Sequence, residues 1–309
     1  MSAPDRVLFV GFGAMGAPMA ARLAGAGHDL VLGDADEERA RLLAEQLGAD
    51  AAGPADLAAA AAGVGVVVLM LPDSSVVEQV LLGPDGLLVA LARGSTVVDM
   101  SSSRPASTVA LAEEAAGQGV AVVDAPVSGG VARARTGELS IMVGGSEGAV
   151  SAVEPLLGAM GTDVVRVGGS GAGHAMKALN NLLSAIGLAG ASEVLAIGAK
   201  VGLEPQTMLD VLNRSTGRNQ ATEVKMARFV LSRAFDSGFS LDLMVKDLGT
   251  ALELARSTAT PVPVAAAALQ EWTEARRTLP PGADHTEVAA YVEGRAGTRL
   301  TAGPPPDGG

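Results

Sequence analysis

The chain has 309 residues, 48% of them hydrophobic, with 40 Gly, 16 Pro and a net charge of −12. That length accommodates two domains of ordinary size. The acidity argues against a nucleic-acid partner, and the absence of Cys removes disulfides, thiolate catalysis and Cys-based metal sites.

Residues 1–168 read as one domain. The segment Arg6–Val10 is strand-like and is preceded by neither a basic leader nor a long apolar run, so a cytoplasmic location is expected. The strand candidates are Arg6–Val10, Leu30–Gly33, Val64–Leu71, Thr96–Met100, Val120–Ala125, Ser140–Gly144 and Asp163–Val167. Helical patterns such as Ala14–Ala26, Glu37–Leu47 and Pro105–Ala116 fall between them. Strands that are apolar on both faces and alternate with helices predict a doubly wound parallel sheet of Rossmann type.

Within that domain the first strand runs into Gly11-Phe12-Gly13-Ala14-Met15-Gly16 and then a helix. This is G-x-G-x-x-G in the context that its chemistry needs. Gly11 permits the tight turn, Gly13 lets a pyrophosphate approach the backbone, and Gly16 seats the helix close to the strand. The pyrophosphate would lie on the helix N-terminus. The second strand ends at Asp34, placed to accept hydrogen bonds from an adenosine ribose. A carboxylate there repels a 2′-phosphate, so NAD is expected over NADP, with Arg39 and Arg41 read as helix-surface charges. Further along, the strand Val120–Ala125 leads into Pro126-Val127-Ser128-Gly129-Gly130. Ligands bind beyond the carboxyl ends of such strands, and consecutive Gly can present N–H groups to an anion. Taken alone, clusters of this kind usually only punctuate elements.

After Gly168 the pattern turns helical, and residues 169–296 read as an all-helical substrate and oligomerisation domain. One Pro-free stretch, Ala172–Lys200, would form a single helix on the order of 43 Å long and serve as the connector. Its apolar length is broken by Asn180, Asn181 and Glu193, so it reads as core rather than a membrane span. Further helices are expected at Pro205–Arg214, Thr222–Leu231, Leu241–Thr258 and Pro263–Arg277. Residues 297–309, rich in Pro and Gly, are expected to be a disordered tail.

The long helix begins Gly171-Ala172-Gly173-His174-Ala175-Met176-Lys177-Ala178-Leu179-Asn180-Asn181. Lys177 and Asn181 are i and i+4 and share a face. A Lys amine held in a low-dielectric cleft gives up its proton more readily and can exchange one with an alcohol. The bland alternative is a snorkelling surface lysine. In the later segment Met244-Val245-Lys246-Asp247-Leu248, Lys246 could reach a cofactor or simply pair with Asp242. The three His, at 28, 174 and 285, have no ligand-like spacing, and no metal site is expected.

Together these four motifs resemble the β-hydroxyacid dehydrogenase family, over about residues 5–275. GFGAMGAPMA is similar to its cofactor loop, DAPVSGG to its substrate loop, GAGHAMKALNN to its G-x-G-x-x-x-K-x-x-N-N motif, and MVKDL to its C-terminal Lys-Asp segment. The resemblance implies a C-terminal domain like that of 6-phosphogluconate dehydrogenase and a catalytic Lys177. It also implies that Ser128, Gly129, Gly130 and Asn181 bind the substrate, and that Leu71, Pro72, Ser102 and Lys246 contact the cofactor alongside the glycine loop. Ser102 stands where the family commonly has Thr, and no aromatic residue follows Thr216-Gly217-Arg218. The expected activity is reversible NAD-dependent oxidation of a small 3-hydroxy acid by a homodimer or homotetramer, with no nucleic-acid or membrane partner. The rivals are a reductase of small aldehydes or imines, and a non-catalytic NAD-binding protein.

Overall fold

Successive residues of Val7–Val10 bury on opposite faces of one sheet. In a computed structural model, which describes residues 6–302, Phe9 joins one apolar layer and Leu8 the other, both completely buried. Side chains of this size contribute about 2 kcal/mol each when buried. The strands are β1 (Val7–Val10), β2 (Leu30–Gly33), β3 (Asp50–Ala52), β4 (Val66–Leu69), β5 (Thr96–Asp99), β6 (Ala121–Asp124), β7 (Val127–Ser128), β8 (Leu139–Gly144) and β9 (Gly161–Gly168). Their order is β3-β2-β1-β4-β5-β6-β8-β7, with β9 paired to β8.

From β3 to β6 every pairing is parallel, as a sheet covered by helices on both faces requires. The far edge departs from the all-parallel expectation. β8 runs antiparallel to both β6 and β7. Hydrophobic alternation defines which residues are inward but carries no information about strand direction, so this reversal has no local signature. β7 was expected to be part of a loop.

The chain divides into two units, one ending at Lys177 and the next beginning at Ala178. The sequence put this boundary at Gly168. The first turn of the long helix, Ala172–Lys200, belongs with the sheet because its amides are bound there, as described below. That helix is long and apolar enough by composition to cross a membrane. Much of its apolar surface, including Ala185, Leu188, Leu195 and Ala196, is packed in the core of the second unit.

The second unit holds helices and no strand among its described residues, apart from an isolated bridge between Ser240 and Asp284. Its helices are Pro205–Leu212, Leu241–Ser257, Pro263–Thr278 and Val288–Ala296, with a π-type helix at Ala221–Leu231 where an ordinary helix was expected. The only Trp, Trp272, is fully buried and stacks on His285 at 6.4 Å between ring centres. Burial, aided by the positive charge of Lys225, pushes the His285 imidazole down to about 4.

The expected disordered tail is corrected in its first six positions. Gly297 ends the last helix in a left-handed conformation, and Leu300 is then completely buried. The carboxylate of Glu293 accepts from Leu300 N at 2.6 Å and from Arg233 Nη1 at 2.6 Å, while Arg233 also donates to the Leu300 carbonyl. One buried apolar residue and one part-buried ion pair therefore pin a segment whose composition looked featureless. Residues 303–309 lie outside the described residues.

Candidate active site

The glycine loop follows β1 directly. Gly11 has φ +101, and a side chain on it would collide with the carbonyl of Met70 at the end of β4. A side chain on Gly16 would collide with the Gly11 carbonyl. Both glycines are thus required by the protein's own packing. Gly13 differs, because a Cβ there would meet nothing within 4 Å. The helix Gly16–Gly25 starts with no side-chain cap, Met15 standing at its cap position. An open glycine beside uncapped helix amides is an arrangement into which a dinucleotide pyrophosphate fits.

Asp34 lies just beyond β2 and is mostly buried. Its carboxylate accepts from Phe12 N at 2.6 Å and Asp36 N at 2.9 Å, which straps the glycine loop to the second strand. Two acceptances leave lone pairs for a ribose hydroxyl. Arg39, expected as a simple surface charge, sits 3.8 Å from Asp34 and 3.3 Å from Asp36. On the neighbouring strand ends, Leu71 N donates to the Ser101 hydroxyl at 2.9 Å. This links the Leu71-Pro72 turn to the loop that carries Ser102, which is half-buried.

The second loop begins at β7. Gly129 and Gly130 both have positive φ, +130 and +68, and Gly130 opens the short helix Gly130–Thr136 without a side-chain cap. A Cβ on Gly129 would press on the Arg133 side chain, whereas Gly130 faces open space. Lys177 reaches this loop: its Nζ donates to the Val127 carbonyl at 2.7 Å. It is half-buried rather than a lysine extended into solvent. The structure therefore brings Lys177 and the Ser128-Gly129-Gly130 loop together within the first unit.

In the second unit Asn181 is almost wholly buried, and its Nδ2 donates to Asp247 Oδ2 at 2.6 Å. Asn180 in turn donates to Asn181 Oδ1 at 3.2 Å. Lys246 Nζ lies 3.3 Å from Asp247 Oδ1, while Asp242 stands 3.9 Å from Arg276. Asp247 therefore joins Asn181 and Lys246, a role that the sequence motif contained but did not assign. The sequence also gave no role to Asp99, Asp124 and His174, all buried at the carboxyl edge of the sheet.

Residues 6–169 match the family model described as the NAD binding domain of 6-phosphogluconate dehydrogenase. Residues 171–292 match the model for NAD-binding of NADP-dependent 3-hydroxyisobutyrate dehydrogenase. The chain is 42% identical to 2-(hydroxymethyl)glutarate dehydrogenase of Eubacterium barkeri, over 86% of this chain and 87% of that one. It is 39% identical to the NAD-dependent L-serine dehydrogenase of Pseudomonas aeruginosa, over 85% and 90%. The solved structure of Mycobacterium tuberculosis 3-hydroxyisobutyrate dehydrogenase with L-serine superposes with a TM-score of 0.84 at 29% identity, covering 94% of this chain and 99% of the other. Matches that span both halves, joined to a glycine loop and a lysine-bearing helix in the expected context, place the chain in the β-hydroxyacid dehydrogenase family, as an NAD(P)-dependent dehydrogenase.

Proposed function

We propose that this enzyme reversibly oxidises a small 3-hydroxy acid bearing a hydroxymethyl group next to its carboxylate, with NAD preferred over NADP. The observation that carries the reading is the bond from Lys177 Nζ to the Val127 carbonyl, which sets the only amine of the helix's first turns against a loop of two positive-φ glycines. The names of the relatives support the substrate class. Serine, 3-hydroxyisobutyrate and 2-(hydroxymethyl)glutarate all contain HO–CH2–CH–COO− and differ only in the remaining substituent.

The Ser128 hydroxyl and the amides of Gly129 and Gly130 hold the carboxylate. This fixes the hydroxymethyl carbon two bonds from the carboxylate carbon and leaves the substituent free to vary. Lys177 takes the hydroxyl proton during oxidation and returns it during reduction. Asn181, one helical turn further along, orients that hydroxyl, while Asp247 fixes the Asn181 amide so that its carboxamide cannot rotate. When bound, NAD accepts the carbinol hydrogen as hydride. Asp34 supports NAD over NADP through its charge, opposed by the proximity of Arg39.

A homodimer or homotetramer is part of the same proposal. Leu183, Ile197 and Val201, on or just beyond the long helix, are 72%, 66% and 72% exposed, an apolar surface that a second copy would cover. Light scattering on the purified protein reads the mass. The activity is tested by following NAD reduction across about twenty hydroxy acids. Turnover confined to acids with the hydroxymethyl–carboxylate pair supports the reading. Tight NADH binding with no turnover, or preference for 2-hydroxy acids, overturns it.

A further inference from the structure

Two buried groups touch neither of the surfaces just assigned, yet both are bonded to the turn that precedes Lys177. Asp124, the last residue of β6, is completely buried, and its oxygens accept from Gly171 N at 2.8 Å and His174 N at 2.9 Å. These amides stand at the start of the long helix, where no intrahelical acceptor exists. His174 is also buried. Its Nε2 donates to the Ser101 carbonyl at 3.1 Å, and its Nδ1 shares a 2.7 Å hydrogen bond with the Thr108 hydroxyl.

We propose that Asp124 and His174 are positioning residues that hold Lys177 in register with both the substrate loop and the cofactor-side loops. This rests on Lys177 being the proton-transfer group.

The geometry forms a closed circuit. From Asp124 one path runs along the chain through Ala125 and Pro126, between β6 and β7, to Val127, whose carbonyl binds Lys177. The other crosses the carboxylate to His174 and reaches Lys177 after one helical turn. Both paths are short, so a shift of the helix start relative to β6 moves the amine directly relative to Ser128-Gly129-Gly130. His174 adds a third tie. Ser101, whose carbonyl it binds, accepts Leu71 N on its hydroxyl and donates its own amide to Asp99 at 3.0 Å. The Leu71-Pro72 turn and the Ser102 loop are thereby joined to the same helix turn.

The space around Asp124 is equally specific. A Cβ on Gly173 would collide with the Met142 carbonyl and come within 2.8 Å of an Asp124 carboxylate oxygen. Gly144, paired with Asp124 across the antiparallel register, would place a Cβ 2.5 Å from the other oxygen. Gly171 has φ +84. An ordinary helix cap needs one short polar side chain and makes no such demand on three neighbours. These glycines seat the helix against the carboxylate at close range.

The test is a double-mutant cycle on the full enzyme, with Asp124→Asn, Lys177→Ala and the pair. Melting and NADH affinity are followed with kcat and KM. Asn presents an N–H where one helix amide needs an acceptor, so the helix start shifts. We expect folded Asp124→Asn to bind NADH normally and to lose about 100-fold in kcat, the scale of loss for a misplacement near 1 Å. The double variant should be no slower than Lys177→Ala alone, because the positioned group is already absent. A merely structural Asp124 predicts the same proportional loss in both backgrounds.

The inference is overturned by folded Asp124→Asn with kcat within about threefold of wild type, or by a double variant that loses Asp124's factor again. In either case a dead Lys177→Ala leaves the lysine assignment intact. Near-normal turnover of Lys177→Ala overturns both. If Asp124→Asn does not fold, the cycle is run with His174→Gln, which keeps a donor for Ser101 but not the Thr108 partner. It should lose about tenfold in kcat with Lys177 present and nothing further without it; equal losses in both backgrounds overturn the inference.

Discussion

The two units carry their functional groups differently. In the first, the proposed site is made mostly of main chain at the carboxyl ends of strands, where Gly11, Gly13, Gly16, Gly129 and Gly130 lie. In the second, the proposed groups are side chains on helices, with Asn181, Asp247 and Lys246 linked by hydrogen bond and ion pair. A main-chain site tolerates change in most side chains but almost none at its glycines. A helix-face site depends on each partner, and those partners are far apart in sequence; Asn181 and Asp247 are 66 residues apart.

This contrast can be broken at several points. Gly16→Ala drives a Cβ into the Gly11 carbonyl. It should cost about 3 kcal/mol of stability and most of the cofactor affinity, measured by urea unfolding and NADH titration. In the second unit the sensitive group is His285. Its folded pKa of about 4 lies below the 6.5 of an ordinary imidazole, so the unfolded chain takes up a proton first as the pH falls. The stability contribution is complete above pH 6.5 and is lost as the pH drops toward 4, amounting to on the order of 3 kcal/mol. Urea midpoints at pH 7.5 and 4.5 should reveal the loss, and His285→Gln should flatten it.

Two smaller effects sharpen the comparison. Gly13→Ala meets no neighbouring atom. It should leave melting unchanged while weakening NADH binding about tenfold, separating a glycine that serves a ligand from one that serves the fold. A drop in melting equal to that of Gly16→Ala would erase the distinction. Asp34→Ala removes the carboxylate that would face a 2′-phosphate and lies 3.8 Å from Arg39, leaving Arg39 paired with Asp36. The kcat/KM ratio of NADP to NAD should rise by about threefold or more, and an unchanged ratio would remove Asp34 as the discriminating group.

Legibility in the sequence follows the same division. The cofactor loop was readable because its glycines, strand and helix are contiguous, so local spacing encodes the turn. Lys177 and Asn181 were readable as a shared helix face because helical period alone relates them. The tie from Asp124 to His174 was not, since it crosses 50 residues and closes only when β6 and the long helix meet. The reversed edge at β7 and β8 was invisible for a related reason, as alternation does not encode strand direction. The seat of Leu300 depends on an Arg233–Glu293 pair that no local pattern announces. Asp247 shows the intermediate case: its motif was visible, but its partner was not.

The most direct test of the central claim is Lys177→Ala assayed with a hydroxymethyl acid that the wild type turns over, with NADH binding measured on the same sample. In the proposed mechanism the amine transfers the proton from its seat on the Val127 carbonyl, so kcat should fall about a thousandfold while the NADH Kd is unchanged. Turnover within a few-fold of wild type would contradict the account.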